Sequence, residues 1–242
     1  MLLACRPHVQ CAVYPDHVQD APLTRRQISD AVAPLGWRLV LGAIYTEVLV
    51  PSMADAVAAA SHAVATAGTD AARHLSADIR ADRAVLRLCH TDTGTVTGRD
   101  LELASEISRT LARRGFEMAV GRGAIQTVEV AIDALDIPAV RRFWQAITGY
   151  VNEPGPPDPA GGLVDPFGRG PTIWFQQMDV SRAGRNRIHL DIDVPHGSAR
   201  ARIDAALAAG GTLLSDRAAP AFWVLADVEG NEACICTWQG RD

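Results

Sequence analysis

Two short runs in the C-terminal half of the chain carry polar side chains at strand-like spacing. Glu129 lies in residues 128–133 and His189 in residues 188–193, and apolar and polar residues alternate in both runs. Because side chains alternate between the two faces of a strand, Glu129 and His189 face away from the apolar side that packs under a helix. Charged groups that leave water need partners, so these polar faces predict a ligand-binding concavity.

An internal repeat puts the two runs in equivalent positions. Residues 128–133 recur as residues 188–193 at an offset of 60, and residues 165–168 recur as residues 227–230 at an offset of 62. In each copy the first strand leads into a helix that stops at glycine, and further strands follow. The sequence therefore predicts the unit βαβββ twice, with the polar faces of both copies lining one shared concavity within a single curled sheet.

The first half of the chain predicts helices on one face of an antiparallel sheet. Capping boxes begin helices at Thr24 and Thr97. Two pairs of alternating runs, in residues 37–50 and 77–90, predict β-hairpins. The order is αββαββα, which is an α+β plan. The chain is thus expected to contain an N-terminal arm (residues 1–22), a first domain (23–117), a linker (117–125) and a second domain (126–242).

The helix that begins after Ser52 carries an apolar stripe. Met53, Val57, Ala60 and Val64 recur at helical spacing. This periodicity predicts that the stripe faces the core of the first domain.

Composition excludes several classes of function. The chain has 242 residues and a formal net charge of −5, and all 23 of its basic residues are arginine. Without lysine, neither pyridoxal phosphate (PLP) chemistry nor a P-loop is available, so no PLP and no nucleotide cofactor is expected. An acidic chain without a basic run disfavours nucleic acid and membrane partners. Five cysteines without paired spacing, and no long apolar segment, predict a cytoplasmic protein without a disulfide framework.

Residues 126–238 resemble the vicinal oxygen chelate superfamily, in particular its glyoxalase-like and bleomycin resistance-like branch. The resemblance rests on Asp136-Ile-Pro138 leading into Arg142-Phe-Trp144, on residues 186–191 and on residues 227–232. The superfamily includes isomerases, dioxygenases, lyases and drug-sequestering proteins. The resemblance therefore implies a paired βαβββ fold and an enzyme of lyase, isomerase or dioxygenase type, without selecting the reaction.

The same resemblance implies positions for one divalent metal ion. Metal-dependent members place ligands on the first and last strands of each repeat, which correspond here to Glu129, Gln176, His189 and Cys234. Glu129, His189 and Cys234 are capable ligands, and a mixed nitrogen, oxygen and sulfur set suits zinc or a similar ion. Gln176 is a poorer ligand, and it is expected with Asp191 to contact the substrate.

The resemblance also implies a reaction type. A metal ion could polarise two neighbouring substrate oxygens while a carboxylate, Glu129 or Glu232, moves a proton. Residues 153–162, which are rich in proline and glycine, predict a mobile loop at the mouth of the concavity. In the alternative, Cys234 is a small buried apolar residue and no metal binds.

Residues 23–116 resemble pterin-4a-carbinolamine dehydratase. The matching features include Gly36-Trp37 and Thr97-Gly-Arg-Asp100. Enzymes of this family use an adjacent His-His-Pro and a further histidine at the end of the last strand. The corresponding residues here are Arg73-His74-Leu75 and Thr91. The resemblance therefore implies a pterin-dehydratase fold in which two of the three catalytic histidines are missing.

Three other residues bear on this first site. The resemblance implies His74 as a catalytic residue, and Arg99 and Asp100 as substrate-binding residues. His90 adjoins the position of a lost histidine, but the strand period of two predicts that it faces the helices, away from the cleft. Relatives of this fold form dimers and tetramers, so a homo-oligomer, as a dimer, is implied.

Three functions stay open on the sequence. In the leading hypothesis, the glyoxalase-like domain binds and transforms a small polar metabolite, and the dehydratase-like domain has degenerate catalytic histidines. The first alternative is an active 4a-hydroxytetrahydrobiopterin dehydratase. The second is a non-catalytic protein that sequesters a ligand or serves assembly.

Overall fold

A computed structural model describes residues 23–119, 125–181, 184 and 187–241. The predicted N-terminal arm, residues 1–22, lies outside the described residues. The chain divides into two units, of which the first extends to Gln126 and includes Pro154–Pro156, and the second comprises Thr127–Glu153 and the residues from Pro157 onward. Within the described ranges, no helix combines the length and apolar character needed to cross a bilayer.

The first unit has the predicted α+β plan. In chain order its elements are α1 (Arg25–Val32), β1 (Arg38–Val40), β2 (Ala43–Leu49), α2 (Met53–Ala67), α3 (Ala71–His74), β3 (Leu75–Ile79), β4 (Arg83–Leu88), α4 (Gly98–Arg113) and β5 (Glu117–Met118). The strands are antiparallel in the order β1-β2-β4-β3, and β5 pairs with β2. The two short elements α3 and β5 are additions to the predicted αββαββα order.

The linker predicted for residues 117–125 begins inside the first unit. Glu117 and Met118 form β5 and pair with Leu49 and Val48 of β2. The first unit therefore extends past residue 117, where its predicted end and the predicted start of the linker coincide, and residues 120–124 lie outside the described part of the chain.

Side-chain caps begin the helices of the first unit where the sequence predicts them. The Thr24 hydroxyl accepts from the Gln27 backbone N–H at 3.2 Å, and the Thr97 backbone N–H donates to Asp100 Oδ2 at 2.7 Å. The core between helices and sheet includes Trp37, whose indole N–H donates to the Ser108 hydroxyl at 2.9 Å. A side-chain cap stabilises a helix by about 0.5 to 2 kcal/mol, and full burial of a large apolar side chain stabilises the fold by about 1.5 to 3 kcal/mol.

Helix α2 packs on the sheet through alanine, which corrects the predicted stripe. Met53, Val57 and Val64 are 55%, 50% and 48% exposed, and only Ala60 of the predicted stripe is buried. The residues of α2 that face the core are Ala56, Ala59, Ala60, Ala63 and Ala67. Small side chains let the helix backbone approach the sheet closely, so the larger residues of α2 are turned outward.

The second unit contains the predicted βαβββ unit twice. The first copy comprises β6 (Glu129–Ala134), α5 (Ile137–Thr148), β7 (Val151–Asn152), β8 (Leu163–Val164) and β9 (Thr172–Gln177). The second comprises β10 (Leu190–Asp193), α6 (His196–Ala208), β11 (Thr212–Ser215), β12 (Phe222–Ala226) and β13 (Glu232–Cys236). Among the described residues these strands form two four-stranded sheets, in the orders β6-β9-β8-β7 and β10-β13-β12-β11, rather than one curled sheet.

The first and last strands of each copy are direct neighbours. β6 pairs in parallel with β9, and β10 pairs in parallel with β13. A parallel pair needs a long crossover connection, which the helix and the intervening strands supply. This arrangement brings residues about 40 positions apart in sequence onto the same face of one sheet.

The turn between β12 and β13 ties the second copy to the first. Asp227 is buried, and its Oδ2 accepts from the Trp144 indole N–H at 3.0 Å, while its Oδ1 accepts from the backbone N–H of Asn231 at 2.9 Å. The Glu229 carboxylate accepts from the backbone N–H groups of Leu135 and Asp136 at 2.9 and 2.7 Å. These bonds satisfy donors that the start of α5 would otherwise leave unpaired.

The loop of residues 153–162 is anchored by a buried arginine. Arg141 of α5 is 8% exposed, and it donates to the Gly161 carbonyl and to Asn152 Oδ1, both at 2.8 Å. Burial lowers the pKa of its guanidinium. Residues 153–162 are not among the residues that line the cavity at His189 and Cys234. Their predicted place at the mouth of a site stays a prediction.

Candidate functional site

An imidazole, a carboxylate and a thiol converge in the second copy of the βαβββ unit. The ligand atoms of His189, Asp191 and Cys234 all lie within 4.8 Å of one another. His189 Nε2 is 3.4 Å from Asp191 Oδ1, and the Cys234 sulfur lies within 4.8 Å of both. His189 and Asp191 are exposed, whereas Cys234 is 5% exposed. The cluster therefore has a buried floor and an open side.

Strand register explains this convergence. Asp191 of β10 lies directly opposite Cys234 of β13 in the parallel pair. His189 immediately precedes β10 and is two residues from Asp191, so the period of two predicts both side chains on one face. The cluster thus depends on the pairing of the first strand of the copy with its last strand.

A cavity of about 570 Å³ opens at the cluster. This volume lies within the usual range for small-molecule sites, roughly 300 to 1,000 Å³. Beside the three cluster residues, its walls include Cys236 of β13, Phe222 of β12 and Arg241 near the C-terminus. The cavity thus combines polar donors, an apolar wall and one guanidinium.

Both thiols in the cavity are held in the protonated form. Burial, and then the hydrogen bond and negative charge of Asp191, raise the pKa of Cys234 to about 12. Burial also raises the pKa of Cys236, with further contributions from the nearby Asp191 and Asp193 carboxylates. A metal ion would have to displace the Cys234 proton, because the thiolate is the metal-binding form.

The donor set fits a divalent metal of the zinc type. Ligand atoms around a tetrahedral zinc ion are roughly 3.3 to 3.8 Å apart, and the His189 to Asp191 distance of 3.4 Å falls in that range. Cys234 would need to approach by at most about 1 Å to complete the set. One nitrogen, one oxygen and one sulfur leave a fourth position for a ligand oxygen.

The first unit holds a separate buried pair. His74 ends α3, and its Nδ1 is 2.9 Å from Asp100 Oδ1. Asp100 Oδ2 also accepts from the backbone N–H and the hydroxyl of Thr97, both at 2.7 Å. Since a carboxylate accepts hydrogen bonds, the Nδ1 of His74 carries the proton in this pair. The capping box and the histidine thus share one carboxylate.

His90 lies beside His74, which corrects the prediction that it points away. The two ring centroids are 4.9 Å apart and the rings are nearly perpendicular, at 85°. β4 ends at Leu88, so its alternation does not extend to His90. The backbone N–H of Cys89 instead donates to the His74 carbonyl at 3.0 Å, which brings the following residue toward His74. Within the described part of the chain, His90 Nδ1 is buried without a hydrogen-bond partner.

Arg99 is engaged in surface ion pairs. It contacts Asp70 at 2.7 Å, Glu102 at 2.8 Å and Glu106 at 3.5 Å. Hydrogen bonds to Glu102 and Asp70 raise the pKa of its guanidinium. The structure therefore provides acidic partners for Arg99 on and near α4, and its predicted contact with substrate stays a prediction.

Comparison with known families assigns both units. Residues 21–110 match the family of pterin 4 alpha carbinolamine dehydratase, and residues 129–236 match the family described as glyoxalase-like domain. The chain joins a pterin dehydratase-like domain to a glyoxalase-like domain. No curated protein matches the chain. The glyoxalase-like domain has the paired βαβββ architecture, as predicted.

Several solved structures are similar to about half of the chain. A glyoxalase/bleomycin resistance protein/dioxygenase family enzyme from Burkholderia phytofirmans is 24% identical, covers 45% of this chain and 95% of its own, and has a TM-score of 0.38. A glyoxalase-related enzyme from Fulvimarina pelagi is 20% identical, with coverages of 47% and 88% and a TM-score of 0.37. A fosfomycin resistance protein from Listeria monocytogenes, complexed with Mn(II), is 13% identical, with coverages of 46% and 90% and a TM-score of 0.37.

The glyoxalase-like domain places the two predicted catalytic carboxylates outside the cluster. Glu129 is half-buried at the start of β6, opposite Thr172, in the first copy. Glu232 is buried on β13, two residues before Cys234 and on the same face of the strand. Neither residue lines the described cavity. Their roles as proton carriers stay predictions.

Strand register also changes the counterpart of Cys234 in the first copy. Cys234 lies opposite Asp191, and the equivalent pair in the first copy is Trp174 opposite Ala131. Gln176 lies two residues further on, opposite Asp133, so it was wrongly aligned with Cys234. The cluster of donors is therefore confined to the second copy.

The structure places one predicted residue in the donor cluster and adds residues that the sequence does not single out. Asp191, which is predicted to contact substrate, lies in this cluster. The spacing of two residues between His189 and Asp191 already indicates that both side chains lie on the same face of the strand. Arg241 and Phe222 were not singled out, since nothing in the sequence shows that the C-terminal segment lies beside β12 and β13.

Proposed function

We propose that the glyoxalase-like domain binds one divalent metal ion at His189, Asp191 and Cys234, and that it binds and transforms a small polar metabolite there. The observation that supports this is the convergence of three donors of different type at the wall of a cavity of about 570 Å³. Exposed acidic groups often cluster without a metal, but a buried thiol within 4.8 Å of both a carboxylate and an imidazole is a more specific arrangement.

The residues of the domain would divide the chemistry among them. A bound divalent ion supplies a Lewis acid that polarises substrate oxygens. His189 and Asp191 hold the open side of the site, and Cys234 holds the buried side. Glu232 is the proposed proton carrier nearest to the cluster in sequence, and Glu129 is the alternative.

Metal content of the full-length, tag-free protein tests the proposal. We expect elemental mass spectrometry to find about one zinc or similar ion per chain after reconstitution. The ion should be lost in His189→Ala, Asp191→Asn and Cys234→Ser. His196→Ala removes an exposed histidine that is paired with Trp238, and it should retain the metal.

Glu129→Ala separates two versions of the metal site. Retention of metal in this variant supports the cluster of His189, Asp191 and Cys234, and its loss would restore Glu129 as a ligand. Absence of metal even after reconstitution would overturn the proposal. Tight binding of a ligand without any chemical change would favour a sequestering protein over an enzyme.

A second candidate function belongs to the pterin dehydratase-like domain. Acid–base dehydration requires one group that takes a proton and another that gives one. His74 and His90 supply two imidazoles with ring centroids 4.9 Å apart. The test is turnover of 4a-hydroxytetrahydropterin, with His74→Ala and His90→Ala both expected to abolish the release of water and His62→Ala, on α2, expected to retain it. No turnover in the unaltered protein would exclude this candidate.

A further inference from the structure

We propose that the cavity selects a negatively charged ligand, with Arg241 binding an anionic group that lies about two strand residues, roughly 7 Å, from the donor cluster. This inference rests on the proposed metal site, because the cluster is expected to hold the other end of the ligand. It adds the charge and the approximate length of the ligand, which the donor cluster alone does not define.

The position of Arg241 relative to the cluster follows from its contacts. Its guanidinium lines the same cavity as the Cys236 thiol, whose pKa it lowers against burial, and its Nη2 is 3.9 Å from Asp193 Oδ1. Asp193 and Cys236 lie opposite each other, two residues beyond the pair formed by Asp191 and Cys234. Two residues along a strand correspond to about 7 Å, so the cationic group lies roughly that far from the donor cluster.

Arg241 is available to a ligand. Its side chain is 47% exposed, and Asp193 is 72% exposed. An ion pair of 3.9 Å between exposed groups contributes little to stability, so it can be exchanged at low cost. A ligand carboxylate could instead form two parallel hydrogen bonds with the guanidinium, which is the geometry that arginine favours.

The charges of the cavity favour an anion once a metal is bound. The acidic groups that line the cavity are Asp191 and, once a metal displaces its proton, the Cys234 thiolate, and the two charges of a divalent ion would offset both. The positive charge of Arg241 then has no fixed acidic group left to balance it among the residues that line the cavity. The apolar wall at Phe222 lies in the same cavity and suits a short hydrocarbon segment between the two polar ends of a ligand.

Calorimetric titration of the zinc-loaded, full-length protein tests this inference with two matched probes. The first probe is 2-oxopentanedioate, which combines a metal-chelating 2-oxo acid with a carboxylate at the far end of a five-carbon chain. The second probe is 2-oxopentanoate, which has the same chelating group and chain length but no far carboxylate. We expect the first probe to bind at least about tenfold more tightly, which corresponds to about 1.4 kcal/mol.

Variants of Arg241 then assign the preference. Arg241→Gln should remove it, and Arg241→Lys should retain part of it, since lysine keeps the charge but not the paired hydrogen bonds. Arg200→Gln is the control, because Arg200 is also an exposed arginine in an ion pair, with Asp204 on α6. Zinc affinity should be the same in all these variants.

The outcomes separate this inference from the metal site. If zinc binds but both probes bind equally, or neither binds, the inference is overturned and the metal site stands. A preference that survives in Arg241→Gln overturns it in the same way. If zinc does not bind to the unaltered protein, the metal site itself fails, and the inference fails with it.

Discussion

Asp191 lies directly opposite Cys234 on the neighbouring parallel strand, and its carboxylate is within 4.8 Å of the Cys234 sulfur. This contact sets the charge state of the thiol before any metal binds. Burial and Asp191 together raise the pKa of Cys234 to about 12. At neutral pH the thiol is therefore protonated, and it is a poor nucleophile.

Replacing Asp191 by asparagine should make Cys234 more reactive. The substitution removes the negative charge that helps to raise the thiol pKa, so the thiolate fraction at pH 8 should rise about tenfold for each unit by which the pKa falls. The measurement is the rate of iodoacetamide alkylation in chelator-treated protein, in a Cys236→Ser background. An unchanged rate would show that burial alone controls the thiol.

Asp165 should stabilise the glyoxalase-like domain in a pH-dependent way. Burial opposes ionisation of its carboxylate, but the backbone N–H groups of Phe167, Gly170 and Arg169 donate to it and outweigh burial, which lowers its pKa. A lowered pKa stabilises the folded state above the ordinary carboxyl pKa, and this contribution is lost as the pH falls through the lowered value.

The Asp165→Asn variant tests this dependence. We expect a loss of about 1 kcal/mol in the free energy of unfolding at pH 7, a modest value because the carboxylate is partly solvent-exposed. The difference from the unaltered protein should shrink below about pH 3.9. Urea unfolding at pH 7 and below about pH 3.9 measures the difference in the free energy of unfolding. A difference that is the same at both would contradict the prediction.

Asp227→Ala should destabilise the domain strongly. It removes the buried acceptor of the Trp144 indole N–H and of the backbone N–H groups of Glu229 and Asn231. Buried donors without acceptors cost about 1 to 3 kcal/mol each, so a total loss of about 3 kcal/mol is expected. The control is Asp204→Ala on the exposed side of α6, where urea unfolding should show a change below about 0.5 kcal/mol.

Gly211 should not tolerate a side chain. A Cβ at this position would lie 2.5 Å from the Phe143 ring and 2.9 Å from the Ala206 carbonyl oxygen. Phe143 is fully buried, so relief would require repacking of the core at a cost of about 1 to 3 kcal/mol. Gly197→Ala is the matched control, since a Cβ there meets nothing within 4 Å. Thermal unfolding of the two variants should separate them clearly.

The elements of both domains follow from local patterns, but several contacts do not. Capping boxes at Thr24 and Thr97 and the repeated alternation at residues 128–133 and 188–193 predict helices and strands directly. Periodicity does not say which of two apolar faces of a helix is buried. In α2 the alanine face is buried because it allows the closest approach to the sheet.

The candidate sites show the same limit. Alternation predicts the face of His189 and Asp191, but only the pairing of β10 with β13 brings Cys234 to them. The end of a strand matters equally. His90 lies beyond the end of β4, so the alternation of side chains in β4 does not determine its direction, and its ring lies beside that of His74. Register and strand ends are properties of the folded chain rather than of any short run of residues.

The bonds from Glu229 to the start of α5 make the two copies mutually dependent. A carboxylate of the second copy completes the helix of the first, and the Trp144 indole of the first completes the turn of the second. A descendant that lost either copy would leave unpaired polar groups in the other. These hydrogen bonds between the copies favour retention of both, even though only the second copy contains the cluster of His189, Asp191 and Cys234.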